Sequence, residues 1–314
     1  MYDIIIIGSG PAGFTAGIYA VRSGRKTLLI AGPRWGGQLM LTTLVENYPG
    51  FVNGIEGPEL MMNMRKQAER LGVEVISDEF TGGNFSKKPF KITAEGKSYE
   101  AKSVIIASGA DSIWLGVPGE IQLRGKGIST CATCDAFFFR NKDVVVVGGG
   151  DSAMEEALVL SHVAKSVTVI HRKSEFRASK AMQKRVFDDP KIKVMWDTVV
   201  TKANGTLKLT SISLKNVKTN SESEFKTDGM FIAIGHNPNT SKFKGIELDA
   251  KGYVVRKEVK DKDGLCVYRS ATSVPGVFVG GDVHDYRYRQ AITASAYGCM
   301  AALDADKWLM EQQG

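Results

Sequence analysis

One pattern occurs twice in this chain, and it limits the fold more than any other feature. Ile4 to Ile7 form an uninterrupted apolar run, as expected of a parallel strand buried on both faces. Gly8-Ser9-Gly10-Pro11-Ala12-Gly13 follows and opens a helix predicted to reach about Ser23 and to stop at Gly24; Lys26 to Ile30 reads as the next strand. Val144 to Val147, then Gly148-Gly149-Gly150-Asp151-Ser152-Ala153, a helix to about Val163 and a strand from Val167 to Ile170 repeat the design. In both copies the residue just past the second strand, Ala31 or His171, lies 23 positions after the first glycine. Each copy later returns with an apolar strand that ends in a small-residue turn, Ala107-Ser108-Gly109 in one and Ala233-Ile234-Gly235 in the other. Matched order and spacing imply an α/β chain with two Rossmann-like dinucleotide-binding domains.

The glycines have separate tasks. The first allows the tight turn, the second lets a pyrophosphate approach the backbone, and the third lets helix pack on strand, while the helix N-terminus receives the negative charge. Beyond the second strand, a carboxylate would hold a ribose 2′-hydroxyl and arginine a 2′-phosphate. The second copy has His171-Arg172-Lys173 there, with Arg177 close behind, which points to NADPH over NADH because a guanidinium can clamp a phosphate through two hydrogen bonds. The first copy has Ala31-Gly32 and no carboxylate, so its ribose contact must come from elsewhere.

Near the C-terminus Val277-Phe278-Val279 leads into Gly280-Gly281-Asp282, a short buried strand ending in an acid that can accept hydrogen bonds from a cofactor polyol; capping of the following helix is the competing reading of Asp282. That helix is expected to start near Gln290, to run to about Met310, and to bury Ile292, Ala296, Met300 and Leu303. Gly298 would let it approach a neighbour. The first fingerprint and the Gly-Gly-Asp turn then serve one cofactor, so that domain is discontinuous: residues 1–112 and 244–314 form it, and residues 113–243 are inserted.

Cys131-Ala132-Thr133-Cys134-Asp135 lies just before the second fingerprint. Two thiols at this spacing can close a small disulfide, and beside a nucleotide-binding turn such a pair reads as redox before it reads as metal. No metal is expected, because Cys266, read as lying in a polar loop, and Cys299, in a helical pattern, are not placed to complete a zinc site. Four cysteines in 314 residues fit a reducing compartment, and the N-terminus reads as a strand and not as a signal peptide, so a cytoplasmic protein is expected. The net charge of +7 is scattered, without aromatic-interleaved basic strips, so nucleic acid is not an expected partner. No segment has the ~20 apolar residues of a membrane helix.

Gly8–Gly13, Gly36-Gly37-Gln38, Glu46-Asn47-Tyr48-Pro49-Gly50, Cys131–Asp135, His171-Arg172, Ala233–His236, Gly280–Asp282 and Arg289-Gln290-Ala291 together resemble the low-molecular-weight thioredoxin reductases over essentially the whole chain. The resemblance implies a homodimer with FAD in the discontinuous domain and NADPH in the inserted one. Electrons would pass from NADPH to the flavin, to the Cys131–Cys134 disulfide, and to oxidised thioredoxin. Cys134 would face the flavin, Cys131 would attack thioredoxin, and Asp135 would be the acid or base. Gly8, Gly10, Pro11, Ala12 and Gly13 would hold the flavin pyrophosphate, with Gly37, Gln38, Asn47, Gly109, Gly281, Asp282, Arg289, Gln290 and Ala291 along the rest of that cofactor. Gly148, Gly150, Asp151, Ser152, Ala153, His171, Arg172, Lys173, Arg177, Ile234 and Gly235 would hold NADPH. Lys173 stands where the family's usual run has a second arginine; it keeps the charge and loses the fork.

Dithiol and nicotinamide site lie on one domain and the flavin on the other, so the inserted domain is expected to rotate and present each in turn. A flavin-dependent dithiol oxidase is the rival enzyme, disfavoured by the His171-Arg172-Lys173 and Arg177 cluster. A non-catalytic nucleotide sensor is the third reading, which the intact dithiol makes wasteful. His236 and His284 are expected to bind or to support structure, not to carry protons.

Overall fold

The protein is described here from a computed structural model covering residues 1–312. In chain order the elements that position the sites begin with β1 (Tyr2–Ile7), α1 (Pro11–Arg22), β2 (Thr27–Ile30), α2 (Gly57–Arg70), β3 (Glu74–Ile76), β4 (Phe80–Asn84), β5 (Phe90–Ala94) and β6 (Lys97–Ile106). Next come β7 (Ile128–Ser129), α3 (Ala132–Asp135), β8 (Asp143–Val147), α4 (Asp151–Ser161), β9 (Ser166–Ile170), α5 (Lys180–Asp188), β10 (Ile192–Met195), β11 (Thr198–Gly205), β12 (Leu209–Asn216), β13 (Glu222–Lys226) and β14 (Gly229–Ile232). The chain ends with β15 (Lys257–Lys260), β16 (Cys266–Ala271), β17 (Val277–Val279) and α6 (Ala291–Glu311). These divide into two compact units, one formed by residues up to Asp111 together with those from Asn237 onward, the other by Ser112–His236. Residues 237–243, expected in the inserted segment, group with the outer unit.

In the outer unit β17, β6, β1, β2 and β3 lie side by side and parallel, with β15 and β16 added antiparallel at one edge and β4 and β5 folded back on the first half of β6. Ile5 of β1 faces Leu28 on one side and Val104 on the other, and all three are fully buried. A strand with neighbours on both edges, helices α1, α2 and α6 on one face and Phe80, Phe90 and Phe243 from β4, β5 and a later loop on the other has no solvated side, which is why β1 and β2 read as unbroken apolar runs.

Helix α6 packs on α1 through small residues. Ala294, Ser295, Gly298, Ala301, Ala302 and Ala305 are buried, with Trp308 and Leu309 below them. A Cβ on Gly298 would lie 2.1 Å from the Ala12 carbonyl oxygen, so the two backbones nearly touch. Arg25, just past α1, pairs with Asp306 of α6 at 2.5 Å where both side chains are largely buried. The face expected to be buried is the wrong one: Ile292 and Leu303 are 43% and 49% exposed, and Ala296 is exposed too. The helix is apolar nearly all round, so the 3.6-residue period admits more than one face, and the close approach selects the side with the smallest residues.

The inner unit repeats the parallel arrangement in the order β7, β14, β8, β9, β10, with Val145 of β8 between Thr168 and Met230. A three-stranded antiparallel sheet, β11, β12 and β13, completes it. In both units the fingerprint strand sits between the strand that follows it and the strand that returns later. Ala153, Met154, Ala157 and Leu160 of α4 pack into a core with Val144, Val146 and Phe231. Cys266 opens strand β16, and does not lie in a loop as its polar surroundings suggested. Among the described residues no helix is long and apolar enough to cross a membrane.

Candidate active site

The dithiol is built on the end of β7. Pairing of Ser129 with Phe231 fixes the backbone there, and the chain then turns into the single helical turn α3. Cys131 and Cys134 are joined in a disulfide with Cα atoms 5.3 Å apart. Ala132, between them, is fully buried in the core that also holds α4, which anchors the turn by packing. Cys131 caps this turn: the Cys134 N–H donates toward Cys131 Sγ over 3.2 Å, and the Asp135 N–H donates to the Cys131 carbonyl over 3.1 Å. A donor aimed at sulfur favours the thiolate once the bridge is opened.

Asp135 follows at once, at the head of the turn Ala136–Phe139, and its side chain makes no capping hydrogen bond there. Burial raises its carboxyl above the ordinary aspartate value, and a hydrogen bond from Ser129 Oγ to Oδ2, 2.5 Å long, opposes that rise. Ser129 Oγ also accepts the Cys131 N–H over 3.0 Å. Glu156 of α4 accepts the Ala132 N–H with its carboxylate. Ser129 and Glu156 carry no motif, so spacing could not single them out; they meet the dithiol only through folding.

The second fingerprint turn lies in the same unit. A Cβ on Gly148 would come within 2.4 Å of the Ala233 carbonyl, whereas one on Gly150 would meet only Arg177 Nη2, at 3.9 Å. The backbone of the basic loop is tied to this turn, with the Arg177 and Ala178 N–H groups donating to the Gly149 carbonyl over 2.8 and 3.2 Å. Asp151 holds the same loop by accepting the Ser179 N–H over 2.8 Å, while Ser152 and Ala153 occupy the first turn of α4. Gly150 caps α4 without a side-chain hydrogen bond, which suits a phosphate. Arg172, Lys173 and Arg177 are exposed beside it.

His171 does not belong with these cations. It is 7% exposed, its ring lies against Gly149, Phe176 and Trp196, and burial lowers its pKa below the usual imidazole value. A neutral buried ring shapes the turn from beneath and brings no charge to a phosphate. Ile234 and Gly235 follow β14, and the Gly235 carbonyl accepts the Ile113 N–H over 3.0 Å where the chain enters this unit.

In the outer unit the first fingerprint is tighter. A Cβ on Gly13 would lie 2.0 Å from the Gly8 carbonyl, while one on Gly10 would meet nothing within 4 Å. Pro11 opens α1, and Gly10 caps it with no side-chain hydrogen bond. Gly37 sits against the Gly10 Cα, and Gly281 against Ala12, so two distant segments converge on the same turn. Ser9, not singled out by the motif, ties the turn to Ala31 and to the segment that carries Gly37: its buried Oγ donates to the Ala31 carbonyl over 2.9 Å and accepts the Gly36 N–H over 3.1 Å.

Asn47 Nδ2 donates to Gln290 Oε1 over 3.2 Å, and Gln290 with Thr293 forms the capping box of α6, whose first residue is Ala291. Gln38 Nε2 donates to Asp111 Oδ1 over 2.8 Å. The Gly109 carbonyl accepts the Asn239 N–H where the chain returns to this unit. Arg289 lies in a left-handed conformation, its N–H on the Asp285 carboxylate.

Asp282 is the decisive group. Its Oδ1 is shut away from solvent and meets no hydrogen-bond partner among the described residues. Burial and then Asp285 push its carboxyl up to about 7, with Arg289 opposing. Gln290, and not Asp282, caps α6. A buried acceptor without a donor is costly unless a ligand supplies one. Together with the uncapped α1 and the open side of Gly10, it fits a flavin dinucleotide with a hydroxylated chain. His284 is buried against Tyr297, at 4.5 Å between ring centres, and burial lowers its pKa to about 4. It is neutral at ordinary pH, and its Nε2, like Asp282 Oδ1, is buried with no hydrogen-bond partner among the described residues. Cys266 and Cys299 are not in disulfides.

The family described as pyridine nucleotide-disulphide oxidoreductase matches residues 2–298 of the chain. A thioredoxin reductase of Rickettsia prowazekii is 50% identical over 311 residues, which are 98% of this chain and 97% of the relative. The solved structure of thioredoxin reductase from Giardia duodenalis superimposes with a TM-score of 0.92 at 40% identity, covering 98% of this chain and 99% of the other. That of thioredoxin reductase from Streptococcus pyogenes gives 0.91 at 41% identity, with 99% of each chain covered.

Proposed function

This chain belongs to the pyridine nucleotide-disulphide oxidoreductases, and on that premise we propose that it is a thioredoxin reductase using FAD and NADPH. The observation that carries the reading is the closed Cys131–Cys134 bridge at the head of a helical turn whose next residue is a buried carboxyl. An exposed disulfide stapling a fold would need no such neighbour.

The outer unit holds FAD through the Gly8–Gly13 turn and Asp282, and the inner unit holds NADPH through the Gly148–Ala153 turn, Arg172, Lys173 and Arg177. When bound, these cofactors supply the hydride and electron transfer that no side chain can provide. The chain's own groups do the rest. Opened by two electrons, the bridge leaves Cys131 as a thiolate, favoured by the Cys134 N–H, and this sulfur attacks the disulfide of thioredoxin. Cys134 then attacks Cys131 in the mixed disulfide, the second thioredoxin sulfur departs, and Asp135 relays the proton from Cys134 to it.

The inner unit rotates between half-reactions so that the flavin meets nicotinamide and dithiol in turn. The enzyme acts as a homodimer; Ile292, Leu303 and Met310 leave an apolar stripe on one face of α6 that is 43–53% exposed and suits a second copy. The free Cys266 and Cys299 accord with a reducing cytoplasm.

NADPH oxidation by the flavin-loaded protein, followed with and without oxidised thioredoxin, tests the reading. Turnover is expected only with thioredoxin. Oxygen consumption with a dithiol substrate and no NADPH would mark an oxidase, and absence of both reactions would leave a nucleotide-binding protein.

A further inference from the structure

We propose that Ser129 is a positioning residue for proton transfer at the dithiol, holding the Asp135 carboxyl in place as an anion; the inference rests on the reading of Cys131, Cys134 and Asp135 given above. Ser129 is 8% exposed at the end of β7, where register with Phe231 fixes its backbone. A hydroxyl has one hydrogen to give. The Cys131 N–H donates to Ser129 Oγ over 3.0 Å; of the two acceptors near the hydroxyl, the Cys131 carbonyl at 3.5 Å and Asp135 Oδ2 at 2.5 Å, the much shorter contact takes the hydrogen, so it goes to Asp135. One side chain thus links the backbone of the attacking cysteine to the carboxyl beside its partner.

The direction of the hydrogen bond matters chemically. An ionised carboxylate only accepts, so a donor held in place stabilises the anion against the burial that favours the neutral acid. The step needs that anion. As Cys134 sulfur bonds to Cys131 sulfur, the Cys134 proton passes to Asp135; the bond between Cys131 and thioredoxin breaks, and the departing sulfur takes the proton from Asp135. Two electrons move from the dithiol to thioredoxin, and no further oxidant enters.

The other ionisable groups at this turn are few. Glu156 faces it from α4 with its carboxylate on the Ala132 N–H. The adjoining turn, Ala136 to Phe139, brings only apolar side chains. The thiols of Cys131 and Cys134 join them once the bridge is reduced.

Ser129→Ala and Ser129→Thr in the flavin-loaded enzyme test the assignment through the pH profile of kcat with thioredoxin. In Ser129→Ala the acid limb is expected to move to higher pH, with kcat at neutral pH lower by about tenfold, short of the ~10²-fold or greater cost of losing an acid–base group outright. KM for thioredoxin should stay unchanged, kcat should recover at alkaline pH, and Ser129→Thr should behave like the parent. A purely structural serine would lower Tm and leave the limb in place, and an unmoved limb overturns the proposal. Should Ser129→Ala fail to fold, Ser129→Gly removes the same hydroxyl. Alkylation of the chemically reduced dithiol by iodoacetamide across pH, in parent, Ser129→Ala and Asp135→Asn proteins, uses no thioredoxin. It therefore decides the role of Ser129 even where thioredoxin proves not to be the substrate: an inflection abolished in Asp135→Asn and shifted upward in Ser129→Ala supports the assignment, and identical parent and Ser129→Ala profiles refute it.

Discussion

At the scale of single residues, the carboxyls of Asp135 and Asp282 differ in what answers them. Asp135 has a donor in Ser129, while the Oδ1 of Asp282 has none among the described residues, and burial and then Asp285 push the Asp282 carboxyl up to about 7. Hydroxyl donors from a bound flavin would favour the anion and bring that pKa down. A group whose pKa is lower in the complex than in the free protein makes binding strongest above the free value. Flavin affinity of the apoprotein is therefore expected to be greatest above about pH 7 and to weaken as pH falls below it. Asp282→Asn should flatten that dependence and weaken binding at high pH by roughly the 1.5–3 kcal/mol of a hydrogen bond to a charged group; flavin fluorescence titrations across pH measure both. Asp282, Asp135 and the basic residues were legible because they sit in or beside motifs. Burial of His171 was not, because a histidine next to two cations reads as a third until the ring is found beneath Gly149.

At the scale of elements, strands and helices of both repeats follow from their apolar runs and glycine turns. The last helix does not follow so simply. Its stripe of Ile292, Ala296 and Leu303 has the right period and lies on the outer face, because contact with α1 demands Gly298 and alanines. Gly298→Ala should force the helices apart, since its Cβ would lie 2.1 Å from backbone oxygen that cannot turn aside. Overpacking of this kind costs about 1–3 kcal/mol, exceeding the gain of about 1 kcal/mol in helix propensity. A lower Tm accompanied by looser flavin, because Ala12 belongs to the fingerprint turn, is the expected result. An unchanged Tm would mean that α1 and α6 can yield.

At the scale of the whole molecule, the chain places its electron-carrying sulfurs and one nucleotide turn in the inner unit and the other turn in the outer unit. Cys134→Ser separates the two halves of the reaction. It should still accept electrons from NADPH onto flavin, seen as bleaching of the flavin band, and should lose thioredoxin turnover by at least ~10³-fold, since a single thiol cannot release a mixed disulfide by internal attack. Retention of full turnover would exclude the dithiol from the electron path.

What the sequence by itself determined was whatever is local in the chain: the paired βα turns, the strand runs, the two cysteines and the charge beside them. Spacing and side-chain chemistry suffice for these, because each is made by residues a few positions apart. Only tertiary structure decided that Ser129 serves Asp135, that Glu156 holds the Ala132 amide, that Ser9 ties Gly36 to Ala31, and which face of α6 is inside. Those contacts join residues whose separation bears no fixed relation to a helix or strand period, and they form where packing density and the need to pair buried polar groups leave no other arrangement.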